Sequence, residues 1–285
     1  MRIILGKFDG ILFLSDFDNT ILYTAAALKN GGACPEMNPR NIAALEHFMA
    51  EGGRFGVATG RATAAFAPYA PMVPSNAPAV VFNGAGIYDY NEKQYTETLF
   101  LGESARPHIE EVVRAVPEVS LEMFHADGLL QVFHETPWNA QHSRLTGMSY
   151  EVVNDLSPAS VEMPLSKALF LGETDILLKA IDFMDSRPWR DQYEVILSSE
   201  YLLELTAKGA NKGDTALRLK ELLGCKMLVC AGDHMNDLSM LRAADRAFCP
   251  SNAVEQVRAE ACVVGHCQDG AIADMIAILE KELME

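Results

Sequence analysis

The chain has 285 residues, of which 49% are hydrophobic and 22% are charged, which is typical of a globular protein with about two domains. Its formal net charge of −16 disfavours nucleic acid and anionic membranes as partners, because both are negatively charged. The apolar N-terminal run is broken by Lys7, Asp9 and Gly10, and no window reaches the roughly 18 apolar residues of a membrane span. We therefore expect a cytoplasmic protein that is a monomer or a weak homo-oligomer.

The six cysteines contain no CxxC pair and show no regular spacing; they are Cys34, Cys225, Cys230, Cys249, Cys262 and Cys267. This pattern favours buried free thiols in a reducing compartment over a zinc site.

The first well-marked element is a short apolar run at residues 11–14, which predicts a strand buried on both faces of a parallel sheet. Asp16 and Asp18 follow it two residues apart, so in extended backbone both point to one side while Phe17 packs on the other. Two neighbouring carboxylates repel each other, which predicts a divalent cation, a shared proton, or both. The alternative is a strand that ends in an ordinary polar turn.

Less distinct elements flank this strand. Residues 2–6 are predicted to pair with it through a turn, and residues 21–30 are predicted to form a short helix. Asn38 and Pro39 are typical of the start of a further helix, which Gly52 and Gly53 end.

An alternation of strands and helices then predicts an α/β fold with a doubly wound, Rossmann-like parallel sheet. Residues 54–61 are read as a strand leading into a helix that stops before Pro68, and residues 79–84 as a third strand. The pattern returns late in the chain, with a helix capped by Asn211, a strand at residues 227–231 and a closing helix at residues 272–283.

Between these two parts the pattern changes to short alternating strands, at residues 120–124, 129–133, 194–198 and 201–206. Apolar positions alternate with polar ones there, which favours an antiparallel sheet with one solvated face. We therefore expect a core domain made of residues 1–101 and 208–285, with a second α/β domain, residues 102–207, inserted into it.

Two further groups are candidates for binding an anion. Thr59 and Gly60 lie where a buried strand gives way to a helix, and a hydroxyl with free amides at a helix start suits phosphate, although an ordinary turn is the alternative. Lys212 lies in the first turn of a helix, where its charge opposes the helix dipole; this favours a functional role, and an ordinary exposed lysine is the alternative. Lys208 is an alternative for this role, and Arg61 is expected to make only a local salt bridge.

Asp233 and Asp237 directly follow a strongly apolar strand and suit Mg²⁺, which takes one or two carboxylates together with water and phosphate oxygens. A helix cap is the alternative, and Asn236 would either position a neighbour or cap. Because all these groups follow the carboxyl ends of strands of one sheet, they are expected to meet in one crevice. Four carboxylates, one Mg²⁺ and Lys212 would leave about one negative charge, which favours one protonated carboxyl.

Together these residues resemble the haloacid dehalogenase superfamily of phosphohydrolases. The matching motifs are Asp16-Phe-Asp18-Asn-Thr20, Thr59-Gly60-Arg61, Lys212-Gly213 and Gly232-Asp233-x-x-Asn236-Asp237, with Asn83-Gly84-Ala85 and Asp269-Gly270 also fitting. The inserted domain resembles the larger α/β cap, type IIB, of the Cof-like subgroup. Asn19 departs from the glycine usual in relatives, and we expect this to have a small effect.

The resemblance implies a role for each motif residue. Asp16 would be the nucleophile that forms an aspartyl-phosphate, and Asp18 the general acid and base. Thr59, the Gly60 amide and Lys212 would hold the phosphate oxygens. The remaining implied positions are Thr20, Asn83 and Asn236 for phosphate or substrate, and Asp16, Asp18 (through its carbonyl), Asp233 and Asp237 for Mg²⁺.

The resemblance further implies a small phosphorylated metabolite as substrate, with sugar phosphates favoured and cofactor phosphates such as pyridoxal phosphate possible. Cap residues that could contact it are His125, Trp138, His142, Arg144 and Lys167. Two alternatives stay open: a phosphomutase, which needs a cationic cap pocket for a second phosphate, and a phosphate-sensing module in which Asp16 is only a phosphoacceptor.

Overall fold

The computed structural model describes residues 6–25 and 35–285. The predicted pairing of residues 2–6, most of the predicted helix over residues 21–30, and Cys34 lie outside the described residues.

The described residues form strands and helices that alternate along most of the chain. The strands are β1 (Ile11–Ser15), β2 (Arg54–Val57), β3 (Ala79–Val81), β4 (Gly86–Asp89), β5 (Gln94–Thr98), β6 (Ser120–Phe124), β7 (Leu130–Phe133), β8 (Glu151–Val153), β9 (Lys167–Leu171), β10 (Tyr193–Ser199), β11 (Leu202–Ala207), β12 (Met227–Ala231), β13 (Arg246–Cys249) and β14 (Cys262–Val263). The α-helices are α1 (Pro39–Ala50), α2 (Thr63–Phe66), α3 (Ala105–Ala115), α4 (Pro137–Thr146), α5 (Thr174–Asp185), α6 (Lys212–Leu222), α7 (Leu238–Ala243), α8 (Glu255–Arg258) and α9 (Ala271–Glu282). Within this described part of the chain, no helix has both the length and the hydropathy needed to cross a bilayer.

A five-stranded parallel sheet in the order β14-β13-β12-β1-β2 forms the centre of the core. β1 is buried along its whole length, because Phe13 packs against α1 and α9 on one face while Leu12 and Leu14 pack against α6 and α7 on the other. The predicted doubly wound parallel sheet is therefore confirmed, with the motif strand β1 between β12 and β2.

The third predicted strand is present, but its main pairing differs from the expectation. β3 pairs antiparallel with β4, and β4 with β5, in a separate three-stranded sheet. It joins the central sheet only through a bridge between Ala58 and Val80. The sequence analysis did not assign the β4–β5 hairpin, whose exposed strand β5 has no apolar face that would mark it.

A second sheet of six strands covers the carboxyl ends of the central strands, in the order β10-β11-β9-β6-β7-β8. Its pairs are antiparallel except for β7 and β8. All four strands predicted here are present, and the expectation of a mainly antiparallel second sheet is confirmed. The prediction missed β8 and also β9, a fully buried strand at the centre of this sheet. The domain limits at residues 102 and 207 stay a prediction.

The expectation that one face of this second sheet is solvated is wrong. Leu121 and Leu203 pack with α3 and α5, as the apolar positions should. The polar positions between them, however, are also buried: Glu122 is 0% exposed and Glu204 is 4% exposed. Glu122 is covered by α4, whose Asn139 and His142 are hydrogen-bonded to it, whereas Glu204 lines the cavity over the core and is paired with Lys167. We call this face of the sheet, together with the helix α4 that packs on it, the roof; its strand residues are Glu122, Phe124, Lys167, Leu169 and Glu204.

The five described cysteines are free. Cys230, Cys249 and Cys267 are buried, as predicted, and Cys225 and Cys262 are half-buried. Burial raises the pKa of the Cys267 thiol to about 12, so this thiol is not poised as a nucleophile.

Candidate active site

Asp16 directly follows β1 and is held in place by its backbone, whose N–H donates to the carbonyl of Ala231 at 2.8 Å. Asp16 and Asp18 line the same cavity, while Phe17 is fully buried and packs against Phe66 on the other side. The predicted orientation of the two carboxylates to one side of the chain is therefore confirmed.

Lys212, the first residue of α6, is fully buried between two carboxylates. Its Nζ lies 2.6 Å from Oδ1 of Asp16 and 2.6 Å from Oδ1 of Asp237. Although burial alone would lower the pKa of Lys212, these carboxylates raise it above its ordinary value. Lys212 is therefore not an exposed lysine, whereas Lys208 is exposed and pairs with Glu194.

Asp237 shapes the loop that follows β12. Its Oδ2 accepts hydrogen bonds from the backbone N–H groups of Asp233 at 2.9 Å and His234 at 3.1 Å. A side chain at Gly232 would place a Cβ only 2.4 Å from the Cβ of Asp237, so the loop closes this tightly only with glycine there. The loop presents Asp233, whose Oδ1 accepts a hydrogen bond from Thr20 Oγ1 at 3.1 Å.

Asp16, Asp233 and Asp237 form a group that fits a divalent cation. One carboxylate oxygen from each lies within 4.8 Å of the other two. Burial, the largest cause in both cases, raises the pKa of Asp16 to about 8 and raises the pKa of Asp233 above its ordinary value. Repulsion from the neighbouring carboxylates raises both pKa values further. Such carboxylates bind a proton or a metal ion in preference to remaining charged alone, and their oxygens are the ligands that Mg²⁺ takes.

Asp18 is paired with Arg61 through two hydrogen bonds, from Nε to Oδ2 at 2.8 Å and from Nη2 to Oδ1 at 2.7 Å. Thr24 Oγ1 also donates to Asp18 at 2.7 Å. Arg61 was expected to make only a local salt bridge, but it contacts a site residue 43 positions away along the chain. With Arg61 included, four carboxylates and two cations leave two negative charges, which one divalent ion would neutralise. The charge balance therefore does not require a protonated carboxyl.

The strand–helix turn after β2 differs from its prediction. α2 begins at Thr63 and has four residues, so Thr59 and Gly60 lie in the loop before it and not at a helix start. The helix begins late because Ala62 is extended. Thr59 Oγ1 accepts a hydrogen bond from the backbone N–H of Arg61 at 3.1 Å, which fixes the loop.

Asn83 lies opposite this loop. Its Oδ1 accepts a hydrogen bond from Asn236 Nδ2 at 2.9 Å, and its side chain helps to lower the pKa of the Glu204 carboxylate by hydrogen bonding. A Cβ at Gly60 would lie 3.0 Å from the Asn83 amide, so the two residues are in close approach. Asn83 therefore links the edge of the site to the roof.

A cavity of about 370 Å³ lies between these core residues and the roof. Of the predicted site residues, those that line it are Asp16, Asp18, Gly60, Asn83, Asp233 and Asn236. The other four do not line the cavity but are hydrogen-bonded to residues of the site or its loops; they are Thr20, Thr59, Lys212 and Asp237. Larger cavities of about 570 and 850 Å³ hold none of the four site carboxylates.

The roof contributes two of the five predicted cap residues to this cavity, His142 and Lys167. His125, Trp138 and Arg144 are not among its described lining residues, and Trp138 instead stacks on Tyr201 with a centroid distance of 5.4 Å.

Lys167 connects the roof to the core. Its Nζ lies 2.9 Å from Glu204 Oε2 and 3.1 Å from the carbonyl oxygen of Gly60. Burial opposes ionisation of Glu204, yet the Lys167 ammonium keeps the pKa of this carboxyl below its ordinary value. Glu122, Glu204 and Ser198 were not predicted as site residues, because polar residues in alternating strands are expected to face solvent.

Comparisons with known proteins agree with this arrangement. The chain is 24% identical to the chloroplastic endoribonuclease YBEY of Arabidopsis thaliana, over 97% of this chain and 47% of the relative. It is 29% identical to the HMP-PP phosphatase of Escherichia coli O157:H7, over 54% of this chain and 57% of that protein. The chain thus spans less than two thirds of the length of either relative.

A solved structure shares the fold over nearly the whole chain. The subclass IIB sugar phosphatase BT4131 superposes with a TM-score of 0.76 at 17% identity, and the match covers 94% of this chain and 98% of that one. Residues 13–276 match the family model of the haloacid dehalogenase-like hydrolases. Because this match covers most of the chain and includes every residue of the site described above, the chain belongs to the haloacid dehalogenase-like hydrolase family.

Proposed function

We propose that this protein is a Mg²⁺-dependent phosphohydrolase that acts on a small phosphorylated metabolite, with sugar phosphates favoured, through an aspartyl-phosphate. The observation that carries the proposal is the position of Asp16, buried at the end of β1 within 2.6 Å of Lys212 and within reach of a cation shared with Asp233. The cavity of about 370 Å³ above it accommodates a small molecule.

The reaction has two steps in this proposal. A carboxylate oxygen of Asp16 attacks phosphorus in line and forms the aspartyl-phosphate, while the bond from phosphorus to the leaving oxygen breaks and Asp18, which enters this step protonated once the anionic substrate is bound, gives that oxygen its proton. Asp18 then accepts a proton from the water that attacks phosphorus, which releases phosphate and regenerates Asp16.

The surrounding residues stabilise charge during both steps. Lys212 keeps a positive charge against Asp16, and Thr59 and the Gly60 amide are proposed to orient the phosphate oxygens, with Asn83 lining the cavity beside Gly60. Asp16, Asp233 and the Asp18 carbonyl would hold Mg²⁺, with Asp237 behind them. When bound, Mg²⁺ would supply a Lewis acid that offsets the negative charge of the phosphoryl group.

The names of the relatives support a phosphatase in preference to a nuclease. One relative is named as an HMP-PP phosphatase, and a structural neighbour as a sugar phosphatase. The endoribonuclease name belongs to a protein of which this chain spans 47%, and a net charge of −16 opposes RNA binding. The phosphomutase alternative is not favoured, because the two basic groups of the roof already face carboxylates, Lys167 facing Glu204 and His142 facing Glu122.

The test is phosphate release from a panel of sugar phosphates, nucleotides and cofactor phosphates with Mg²⁺, comparing the parent with Asp16→Asn. We expect the variant to lose activity by about a thousandfold or more, since it removes the nucleophile. Asp9→Asn is the matched control, because Asp9 is an exposed aspartate at the opposite end of the same strand. Acid quenching with labelled substrate should trap phosphoprotein in the parent and not in Asp16→Asn.

Undiminished turnover by Asp16→Asn would dismiss the mechanism. A phosphorylated form that persists for minutes without catalytic release would instead support the sensing alternative, and phosphate transferred within the substrate rather than released would support a mutase.

A further inference from the structure

The roof contains a buried carboxylate–imidazole pair that the proposed reaction does not use. Glu122 is completely buried on β6, and its Oε2 accepts a hydrogen bond from Nδ1 of His142 at 2.7 Å. Its other oxygen accepts a hydrogen bond from the Asn139 amide at 3.0 Å. Asn139 and His142 lie three residues apart on α4, so one carboxylate orients both side chains.

This arrangement leaves one polar atom of the imidazole free. A carboxylate only accepts hydrogen bonds, so Nδ1 of His142 carries the hydrogen that points to Glu122. No described residue is hydrogen-bonded to Nε2 of His142, and the ring lines the cavity above Asp16. When the imidazole is neutral, its Nε2 accepts a hydrogen bond; when the imidazole is protonated, its Nε2 donates one. A hydroxyl group can do both, and so it matches Nε2 in either state.

The rest of the roof around His142 also suits a hydroxylated molecule. The ring centroids of Phe124 and His142 are 6.4 Å apart. The Lys167 ammonium lies 4.9 Å from the ring centroid of Phe124. Leu169 extends the same apolar patch, against which a carbon skeleton can pack. Ser198, across the cavity, has a buried hydroxyl that helps to lower the pKa of the Glu204 carboxylate by hydrogen bonding. The roof therefore combines an apolar patch with one polar atom, Nε2 of His142, that has no partner among the described residues.

We infer that His142, oriented by Glu122, determines specificity by hydrogen-bonding a hydroxyl group of the leaving group, so that polyol and sugar phosphates are hydrolysed in preference to unhydroxylated alkyl phosphates. This inference rests on the proposed function and adds to it the residue that selects the substrate. His142 acts here as a binding residue, and Glu122 acts through it as a positioning residue.

The experiment compares sorbitol 6-phosphate with n-hexyl phosphate, two primary phosphates with six-carbon leaving groups that differ in their hydroxyls. We expect the parent to prefer sorbitol 6-phosphate in kcat/KM. His142→Ala should reduce the ratio of the two kcat/KM values about tenfold, the usual size of one hydrogen bond to a ligand. Glu122→Gln should reduce the ratio in the same direction, because the ring then loses its fixed orientation.

His125→Ala is the matched control. His125 is also a buried cap histidine whose Nε2 contacts a side chain, Gln131 Oε1 at 3.0 Å, but it is not among the described lining residues. In His125→Ala the ratio of the two kcat/KM values should equal that of the parent. If His142→Ala does not fold, His142→Gln tests the same ratio with a side chain that keeps a polar group, and thermal denaturation of each variant identifies such a failure.

The outcomes separate the two proposals. A parent that hydrolyses both phosphates, with a ratio unchanged within twofold in His142→Ala, overturns this inference and leaves the proposed function standing. A parent that prefers n-hexyl phosphate also overturns the inference alone. A parent that hydrolyses neither phosphate, nor any member of the wider panel, overturns both.

Discussion

Arg61 holds Asp18 with two hydrogen bonds that fix the plane of its carboxylate, with N···O distances of 2.8 and 2.7 Å. The guanidinium is itself placed against aromatic rings, with its Cζ 4.7 Å from the centre of Tyr69 and 5.4 Å from that of Phe17. Because Asp18 is the proposed general acid and base, this pair sets the position from which a proton would be transferred.

Replacement of Arg61 by lysine tests this positioning. Lysine keeps the charge but not the two-pronged geometry, so Arg61→Lys should lower kcat about tenfold and change KM less. Steady-state kinetics on one good substrate measures both. Arg40→Lys is the control, since Arg40 pairs with Asp274 on the surface. An unchanged kcat in Arg61→Lys would show that the orientation of Asp18 does not depend on the paired hydrogen bonds from the guanidinium.

The proposed metal site predicts a requirement for a divalent ion. A chelator should abolish phosphate release, and added Mg²⁺ should restore it. Asp233→Asn should raise the Mg²⁺ concentration for half-maximal activity by on the order of tenfold or more, because it removes one anionic ligand. Mg²⁺ titrations of the parent, of Asp233→Asn and of Asp182→Asn, an exposed residue on α5, measure this effect. Activity that persists in the chelator would contradict the metal site.

Lys212 should matter for stability as well as for activity. Lys212→Met leaves the carboxylates of Asp16 and Asp237 buried without their cation, which costs about 3–5 kcal/mol in the free energy of unfolding. Urea denaturation measures this loss in the absence of metal. Lys208→Met removes an exposed ion pair with Glu194 and should change stability by about 0.5 kcal/mol or less. Equal effects of the two substitutions would contradict the buried pairing.

Gly84 tests how closely the core loops pack around the site. Its φ is +107°, and an added Cβ would lie 2.3 Å from the carbonyl oxygen of Asn211, the residue before α6. Gly84→Ala should therefore lower the free energy of unfolding by about 1–3 kcal/mol and reduce kcat, because Lys212 begins the helix that must move. Gly102→Ala meets nothing within 4 Å and should be neutral. Thermal denaturation and kinetics of both variants decide the matter.

The sequence predicted the parts of the molecule that depend on local patterns. β1 is a short apolar run, and the loop at Asp233 follows an equally apolar strand, so both could be placed at one sheet edge from topology alone. The cap of α1 was also predictable, because the Asn38 side chain accepts a hydrogen bond from a backbone N–H two residues on.

Other features depended on contacts between distant residues. Arg61 reaches a carboxylate 43 positions away, which its local sequence does not indicate. The alternation around Glu122 is the same whether the polar face meets water or, as here, the helix α4, so its burial could be learned only from the structure. β3 was predicted as a strand, but which sheet a strand joins depends on its neighbours and not on its own three residues.

The hydrogen bond from Lys167 to the carbonyl oxygen of Gly60 ties one roof residue to the loop that is proposed to bind the phosphate. An engineer who alters Lys167 to admit a different leaving group will therefore also disturb that loop, so selectivity and turnover should change together. His142 has no such tether to the core among the described contacts, since its ring is held from within the cap. Redesign of substrate choice without loss of speed should begin at His142.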